Sequence, residues 1–384
     1  MSQSRRNFLA GAAMVGAGAW LCGPSLALAR VDSDRRFVFV IQRGAADGLN
    51  TVIPYADPAY ASLRGALSID PAASTRLDGT FALHPSLAEV AKLYAAGQAL
   101  MVHAVASPYR DRSHFDGQNV LESGATSPYQ VKSGWLNRLL PLLSGGSERA
   151  IAIAPTVPMA LRGPVDVGSY APSALPQPSD DLLARVGDMY QGDAQLQPLW
   201  AAAMQNRAMA NQAGQRQDAA ALGKLAANFL AKPEGARIAM IETGGWDTHS
   251  AQNPRLTAQL RALDTLVASL RDGLGDAWRN TTVLVATEFG RTAAANGTGG
   301  TDHGTGSVAM LFGGAVQGGR LLADWPGLGP SSLYEGRDLR PTQSLYAIIA
   351  ASAGETFGVD PQKLSRVVFP ETRMAGLPSG LVHA

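Results

Sequence analysis

The amino-acid sequence predicts an α/β fold in which a central sheet of mostly parallel strands lies between helices. Three runs consist almost entirely of apolar or β-branched residues, which is typical of strands buried on both faces of a sheet: Phe37–Gln42, Ala99–Val105 and Thr281–Thr287. Segments with helical spacing separate these runs. Loops with acids and histidines follow the runs directly, and open α/β folds keep their ligand sites at the carboxyl ends of the strands.

The N-terminus has the pattern of a twin-arginine export signal. Arg5 and Arg6 precede an apolar Ala/Gly-rich run that ends with alanines at Ala27 and Ala29, which predicts cleavage after Ala29. We therefore expect a mature chain from residue 30, a periplasmic or secreted location, the twin-arginine export machinery as a partner, and no stable membrane anchor. Cys22 is the only cysteine and lies in the signal, so the mature chain offers no thiolate ligand and no disulfide.

The charge of the chain gives no reason to expect nucleic-acid binding. The sequence has 32 basic and 31 acidic residues, and the mature chain would have 30 basic against 31 acidic, because two arginines leave with residues 1–29. A nearly neutral surface lacks the basic excess that attracts nucleic acid or an anionic membrane. About 350 residues can bury a substantial core, so we expect residues 30–384 to form a single α/β domain.

The loop after the first strand supplies the first candidate metal ligand, Asp47, which is the only acid between flanking glycines. The alternative is that Asp47 caps a turn, as aspartate commonly does. A helix is predicted from Pro85 to Gln98, since proline suits a first turn. The second strand carries His103 among apolar neighbours, which favours a histidine of the core with its hydrogen bonds satisfied.

The loop after the second strand leads into a helix that begins near His114, and it supplies the candidate catalytic residues Arg112, Ser113 and His114. A helix N-terminus presents unpaired N–H groups and the positive end of the helix dipole. An oxyanion could therefore be held at Ser113, with Arg110 or Arg112 as an anion clamp. The alternative is structural, with Ser113 as the N-cap and Asp116 completing a capping-box-like pair.

The middle of the chain is predicted to contain helices and little sheet. Gly134–Leu140 has the pattern of a helix and Ile151–Ala154 that of a short strand, whereas residues 155–178 are rich in Pro and Ser and predict an irregular excursion along the rim of the site. Residues 180–231 are rich in Ala, Gln, Leu and Met without a strand pattern, which predicts an all-helical insertion.

Two later strands are each followed by further candidate ligands. One leads to Asp247 and His249, and the other leads to Glu288 and then, along a glycine-rich loop, to Asp302 and His303. The remaining predicted elements are the strands 237–243 and 308–312 and the helices Arg255–Gly273 and Thr342–Ala351.

Together, these loops predict a metal site at one edge of the sheet. Its predicted ligands are Asp47, Asp247, His249, Glu288, Asp302 and His303. Carboxylates and imidazoles suit Zn, Mn, Mg or Ca, as one ion or two. Two ions about 4 Å apart can activate a nucleophile and stabilise a leaving oxygen, as in many phosphate-ester hydrolases.

From about Arg36 to Phe369 the chain resembles the exported DUF1501 family. Besides the twin-arginine signal, the motifs that carry the resemblance are Arg43-Gly44-Ala45-Ala46-Asp47-Gly48, Arg112-Ser113-His114-Phe115, Gly245-Trp246-Asp247-Thr248-His249, Thr287-Glu288-Phe289-Gly290-Arg291-Thr292 and Asp302-His303-Gly304. That family has no settled activity in its name, but it is similar, more distantly, to the alkaline phosphatase and sulfatase superfamily. The resemblance implies an alkaline-phosphatase-like three-layer sandwich with a metal site at the strand ends.

The more distant resemblance also implies roles for single residues. Asp47 matches the first-strand metal-binding aspartate of the superfamily, and Ser113 matches the position of its serine or threonine nucleophile. Asp247 and His249 resemble the aspartate and histidine of one metal site, although the superfamily spaces them further apart. His303 resembles the last histidine ligand.

Two departures from the superfamily pattern bear on function. Glu288 stands where the superfamily has an Asp-His pair, and Phe289 replaces the histidine, which would leave one ion instead of two, favour a harder ion such as Ca or Mg, or mark an inactive descendant. The sulfatase motif, Cys or Ser followed by x-Pro-x-Arg, is not met, because Ala106 occupies its first position before Pro108 and Arg110. Sulfatase chemistry through a formylglycine is therefore not expected.

The leading hypothesis is an exported metal-dependent hydrolase of phosphate or sulfate esters, free or attached to a polymer, with Ser113 as nucleophile. The alternative is a non-catalytic periplasmic metal-binding or partner protein that keeps the alkaline-phosphatase-like fold. It is favoured by the missing imidazole at Phe289 and by the helical insertion, which offers a binding surface. A metal-free serine hydrolase is disfavoured, because no G-x-S-x-G elbow surrounds Ser113.

Overall fold

The computed structural model describes residues 34–143, 150–171, 180–210, 218–233, 235–374 and 376–383. The predicted export signal and Cys22 lie outside these residues. The strands are β1 (Arg36–Gln42), β2 (Val52–Ile53), β3 (Thr75–Arg76), β4 (Ala82–Leu83), β5 (Ala99–Ala106), β6 (Ala150–Ile153), β7 (Gly168–Ser169), β8 (Ile238–Thr243), β9 (Thr281–Thr287), β10 (Ser307–Phe312), β11 (Arg320–Leu322) and β12 (Gln343–Ser344). The α-helices are α1 (Gly48–Thr51), α2 (Tyr60–Arg64), α3 (Ala88–Ala95), α4 (His114–Ser123), α5 (Trp135–Leu139), α6 (Asp180–Tyr190), α7 (Leu196–Ala210), α8 (Ala219–Leu230), α9 (Gln252–Leu274), α10 (Leu345–Phe357) and α11 (Pro361–Val368).

Nine of these strands form one mixed sheet in the order β11-β5-β10-β9-β1-β8-β6-β7, with β12 paired to β5. β10 runs antiparallel to both of its neighbours, and the other pairings in this sheet are parallel. The prediction of a mostly parallel sheet is therefore confirmed. Each predicted strand lies within one residue of an observed one, because a run that is apolar on both faces has few alternatives to a buried strand.

The central strand β1 shows that helices cover both faces of the sheet. Its Val38 and Val40 side chains belong to the hydrophobic cluster that α8 and α9 pack against. Phe37 and Phe39 point to the other face, where their rings lie 6.2 and 5.3 Å from the ring of Trp135 in α5. Alternate residues of one strand are thus buried on opposite sides, which confirms the expected arrangement of a sheet between two helical layers.

The helices differ from the sequence prediction mainly at their ends. α3 is shorter than the predicted Pro85–Gln98, and α10 begins three residues later than predicted, because the Ser344 side chain caps it by accepting a hydrogen bond from the Ala347 backbone N–H. The sequence analysis did not predict α11 or the small sheet β2-β4-β3. The predicted helical insertion contains α6, α7 and α8.

No helix in the described part of the chain is long and apolar enough to cross a membrane.

The carboxyl ends of the central strands meet at one edge of the sheet. Gln42 at the end of β1 pairs with Thr243 of β8 and with Thr287 of β9, so the three strands end level. Their loops then pack closely: Gly44 has a φ of +119°, and a Cβ there would lie 2.6 Å from the backbone nitrogen of Asp247. A residue with a side chain at position 44 would push these two loops apart.

Candidate metal centre

Four side chains from three loops lie together at this edge, and three of them, His114, Asp247 and His303, offer ligand atoms that all lie within 4.8 Å of one another. His114 Nε2 lies 3.4 Å from Asp247 Oδ2, and the Nε2 atoms of His249 and His303 lie 3.0 and 3.5 Å from Asp247 Oδ1. The Nε2 atoms of His249 and His303 are 3.0 Å apart. Three of the four, Asp247, His249 and His303, are predicted metal ligands, whereas His114 is predicted as a catalytic residue.

Each of the three imidazoles is held from behind by an oxygen at its Nδ1 atom. The pairs are His114 with Glu288 Oε1 at 2.9 Å, His249 with Asp302 Oδ1 at 3.0 Å, and His303 with the Arg112 carbonyl oxygen at 2.9 Å. Carboxylates and carbonyls only accept hydrogen bonds, so in the neutral ring the proton is assigned to Nδ1 and the lone pair to Nε2. Metal-ligating histidines are oriented in this way in proteins.

The converging lone pairs require a cation or a proton between them. His249 and His303 both use Nδ1–H toward an acceptor, so at 3.0 Å their Nε2 lone pairs would face each other in the neutral state. Burial, with the nearby charges of His114 and Arg291, lowers the pKa of His303 and favours its neutral form. His114 Nε2 is buried and has no hydrogen-bond partner among the described residues. A buried polar atom without a hydrogen-bond partner destabilises the folded state unless an ion or a hydrogen-bonding group binds it.

The separations fit a single metal ion. Single ligand atoms from His114, Asp247 and His303 lie within 4.8 Å of one another, close enough for one ion to bind all three. His249 Nε2 lies 3.0 Å from both Asp247 Oδ1 and His303 Nε2. The residues present therefore suit one ion held by the imidazole nitrogens of His114 and His303 and a carboxylate oxygen of Asp247, with the His249 imidazole beside them. His249 and Asp247 are 43% and 41% exposed at their side chains, so the centre opens to solvent on one side.

Asp247 is anchored by Arg291, which the sequence analysis did not single out. Arg291 is buried, its Nη1 donates to Asp247 Oδ1 at 2.6 Å, and its Nε donates to Thr301 Oγ1 at 3.1 Å. Partial burial acts to raise the pKa of Asp247, but the hydrogen bond and charge of Arg291 outweigh it and hold the pKa below its usual value. Asp247 is thus kept ionised, as a metal ligand must be.

Glu288, a predicted metal ligand, lies outside the converging set, behind the ring of His114. Its Oε1 atom accepts hydrogen bonds from His114 Nδ1, the Gly44 backbone N–H and Gln118 Nε2, and its Oε2 atom accepts one from Thr287. Burial acts to raise the pKa of Glu288, but these bonds lower it overall, and the bond to Glu288 in turn raises the pKa of His114. Glu288 thus orients the imidazole of His114.

Asp302 is the second predicted ligand outside the converging set, and it lies behind the His249 ring at the exposed side of the centre. Its Oδ1 atom accepts hydrogen bonds from His249 Nδ1 at 3.0 Å and from Asn296 Nδ2 at 3.1 Å, and these bonds lower its pKa. Asn296 also donates to the His249 carbonyl oxygen at 2.9 Å. The glycine-rich loop therefore fixes His249 through both its ring and its backbone.

Asp47 is a third predicted ligand that the structure places elsewhere. Its buried carboxylate accepts two hydrogen bonds from Arg64, one from Gln252 Nε2 at 2.6 Å and one from the Asn50 backbone N–H at 3.2 Å. The last of these makes Asp47 the N-cap of α1. With both oxygens occupied and the charge paired, Asp47 is a structural residue, as the capping alternative proposed.

Replacing Arg64 by methionine is expected to destabilise the protein by about 3–5 kcal/mol, because it would leave the Asp47 carboxylate buried and unpaired. Chemical denaturation of the two proteins would measure the difference. The matched control is the double variant Arg64→Met with Asp47→Asn, which removes both charges and should recover much of the loss. Equal stability of Arg64→Met and the parent would contradict the assignment of Asp47 to a structural ion pair.

Arg112 is not free to clamp an anion, which corrects its predicted role. Its Nε donates to Asp338 Oδ2 at 2.9 Å and its Nη2 pairs with Glu335 Oε2 at 2.5 Å. The neighbouring Ser113 is half-buried at the N-cap position of α4, and in the described structure its hydroxyl makes no capping hydrogen bond. Ser113 thus lies between Arg112, whose carbonyl holds His303, and His114, whose ring reaches the centre.

The ring of Phe289 packs directly against the centre. It stacks on His114 with centroids 5.1 Å apart and lies 5.3 Å from the ring of His303. The imidazole that the superfamily pattern places at position 289 is therefore absent, but His114 supplies a third imidazole from the start of α4. The sequence offered one signal for this role, namely that His114 follows β5 at the same sheet edge as the other ligands.

A family model described as "Protein of unknown function (DUF1501)" matches residues 34–367 of the chain. No curated protein matches the sequence. The family match covers the sheet, the loops of the metal centre and most of the C-terminal helices.

Several solved structures are similar to this chain at low sequence identity. The C-terminal periplasmic domain of EcEptC from Escherichia coli has 12% identity and a TM-score of 0.42, with 92% of this chain and 94% of that chain covered. A putative sulfatase from Bacteroides thetaiotaomicron has 11% identity and a TM-score of 0.40, with 90% and 77% covered. The alkaline phosphatase from the Antarctic bacterium TAB5 has 10% identity and a TM-score of 0.34, with 73% and 92% covered.

Proposed function

The chain belongs to the DUF1501 family, and we propose that it is a metal-dependent hydrolase of phosphate or sulfate esters. The observation that carries the proposal is the convergence of His114, Asp247 and His303, whose ligand atoms all lie within 4.8 Å of one another, with the imidazole of His249 3.0 Å from Asp247 and from His303. The ligand set favours an ion that accepts nitrogen donors, such as Zn or Mn, over Ca or Mg, which prefer oxygen.

A divalent ion bound at this centre would supply Lewis acidity, which polarises an ester and favours the ionised form of an attacking hydroxyl. The chain itself holds the ligands in place through Glu288, Asp302 and the Arg112 carbonyl. The solvent-open side formed by Asp247 and His249 leaves room for a substrate to approach.

Ser113 is the proposed nucleophile. It lies between two residues that both contact the centre, and its hydroxyl is not used as a helix cap. In the proposed step Ser113 Oγ bonds to the phosphorus or sulfur atom, the bond from that atom to the alcohol oxygen breaks, and the proton released by the serine is balanced by the proton that the alcohol gains. Water then hydrolyses the serine ester and releases phosphate or sulfate.

Removal of the ion with a chelator is expected to abolish ester hydrolysis, and addition of one equivalent of metal should restore it. The assay would compare a phosphomonoester, a phosphodiester and a sulfate ester, since the geometry does not select among them. Turnover that persists in metal-depleted protein would contradict the proposal.

A non-catalytic metal-binding or partner protein is the second candidate. One observation favours it: the guanidinium of Arg112 is committed to Asp338 and Glu335, so it is not free to bind an anionic substrate. Stoichiometric metal without turnover of any of the three esters would favour this candidate. Export to the periplasm or beyond, with the twin-arginine machinery as partner, stays a prediction from residues 1–29.

A further inference from the structure

Asp338 is a fully buried acid in the loop between β11 and β12, and the sequence analysis did not single it out. Its Oδ2 atom accepts hydrogen bonds from Arg112 Nε at 2.9 Å and from Thr305 Oγ1 at 2.7 Å, and its Oδ1 atom accepts one from Arg337 Nε at 2.9 Å. The backbone of Asp338 also forms a bridge with Thr292. Asp338 therefore joins four separate points around the loop that carries His303.

Each side chain that donates a hydrogen bond to Asp338 belongs to a residue that contacts His303 or lies close to it in the sequence. The carbonyl oxygen of Arg112 accepts the hydrogen bond from His303 Nδ1 at 2.9 Å. Arg337 Nη2 donates to the His303 carbonyl oxygen, and Thr305 lies two residues beyond it. The ring and the backbone of this ligand are thus held by groups that Asp338 fixes.

The backbone of this region is strained in a way that needs such support. Arg112 has a φ of +62° and Glu335 has a φ of +52°, both in the left-handed region that favours glycine. The side chains of these two residues form an ion pair with each other. Residues held in this region persist only when their surroundings fix them, and they cluster at functional sites. At Arg112 the strained turn directs the carbonyl oxygen toward His303.

We propose that Asp338 is a positioning residue for the metal ligand His303. Asp338 neutralises the charge of Arg112 and stabilises the strained turn at that residue. The Arg112 carbonyl oxygen then orients the ring of His303 so that Nε2 faces the centre. This inference rests on the metal centre of the proposed function and extends it to a loop that supplies no ligand. The exposed Glu335 binds the same guanidinium, but it is 56% exposed at its side chain, whereas Asp338 is fully buried.

The test compares Asp338→Asn with Glu335→Gln by competition titration of the metal-free proteins with Zn and Mn. An amide at position 338 must turn its NH₂ group toward a side chain that needs an acceptor, so the three bonds cannot all be kept. Asp338→Asn is expected to bind metal about 10- to 100-fold more weakly, the usual cost of losing an outer-shell partner. Glu335→Gln should bind within about 3-fold of the parent, since exposed ion pairs contribute little.

Two further measurements separate positioning from general destabilisation. The melting temperature of each metal-free protein reports stability alone, and the visible absorption of the cobalt-loaded protein reports ligand geometry, which should change in Asp338→Asn. If that variant does not fold, Arg112→Gln removes the same contact from the guanidinium side and should also weaken binding about 10-fold. Parent-like affinity in a folded Asp338→Asn, or an equal loss in Glu335→Gln, would overturn the inference. A parent protein that binds no metal would instead overturn the proposed function itself.

Discussion

Replacing His114 by alanine is expected to lower metal affinity by more than about 100-fold and to abolish metal-dependent turnover. Loss of an outer-shell partner alone costs about 10- to 100-fold, and His114 supplies one of the three ligand atoms that lie within 4.8 Å of one another. The substitution would also leave Glu288 without the imidazole that its carboxylate orients. Isothermal titration of the metal-free variant with Zn and Mn would measure the change.

The matched control is His383→Ala, which removes another imidazole. His383 is exposed near the C-terminus and takes part in none of the contacts of the centre. Its replacement should leave metal affinity unchanged. A His114→Ala variant that holds one equivalent of metal with the parent's affinity would remove His114 from the ligand set.

Replacing Ser113 by alanine is expected to lower ester turnover by at least about 1,000-fold, because removal of a nucleophilic serine leaves only binding and electrostatic effects. Metal content should not change, since the Ser113 side chain belongs neither to the converging set nor to the groups that orient it. Steady-state kinetics and elemental analysis of the same preparation would test both halves of the expectation.

Ser113→Thr is the matched control for this variant, because it keeps a hydroxyl at the same position and should retain part of the turnover. Intact turnover in Ser113→Ala at unchanged metal content would show that another group attacks the ester. A parent protein that is loaded with metal but inactive would leave Ser113 without a catalytic role and favour the non-catalytic candidate.

The fold and the location of the site could be predicted because both depend on local patterns. A run such as Thr281–Thr287 specifies a buried strand by its composition, and parallel strands must place their following loops at one sheet edge. Asp247, His249 and His303 were predicted as ligands on this basis, and the structure brings them together.

The division between ligands and their supports could not be predicted, because it depends on contacts between loops. Glu288 and Asp247 both follow strand ends, yet Glu288 faces the Gly44 backbone and Gln118, whereas Asp247 faces three imidazoles. Asp47 finds its partner in Arg64, on a helix whose docking the sequence did not specify. A carboxylate in a loop has the same local sequence pattern whether it faces the centre as Asp247 does, orients a histidine as Glu288 does, or forms a structural ion pair as Asp47 does.

The absence of a histidine at position 289 weighed against an enzyme in the sequence, but its structural setting changes that inference. Phe289 is 3% exposed and packs on His114, which brings an imidazole to the centre from a different element.

Elemental analysis of the folded, mature protein tests the central claim most directly. The expected result is one equivalent of a divalent metal per chain in the parent and substantially less in His114→Ala, because His114, Asp247 and His303 present their ligand atoms to a single point. A parent protein that contains no metal and takes up none when incubated with Zn or Mn would contradict the account.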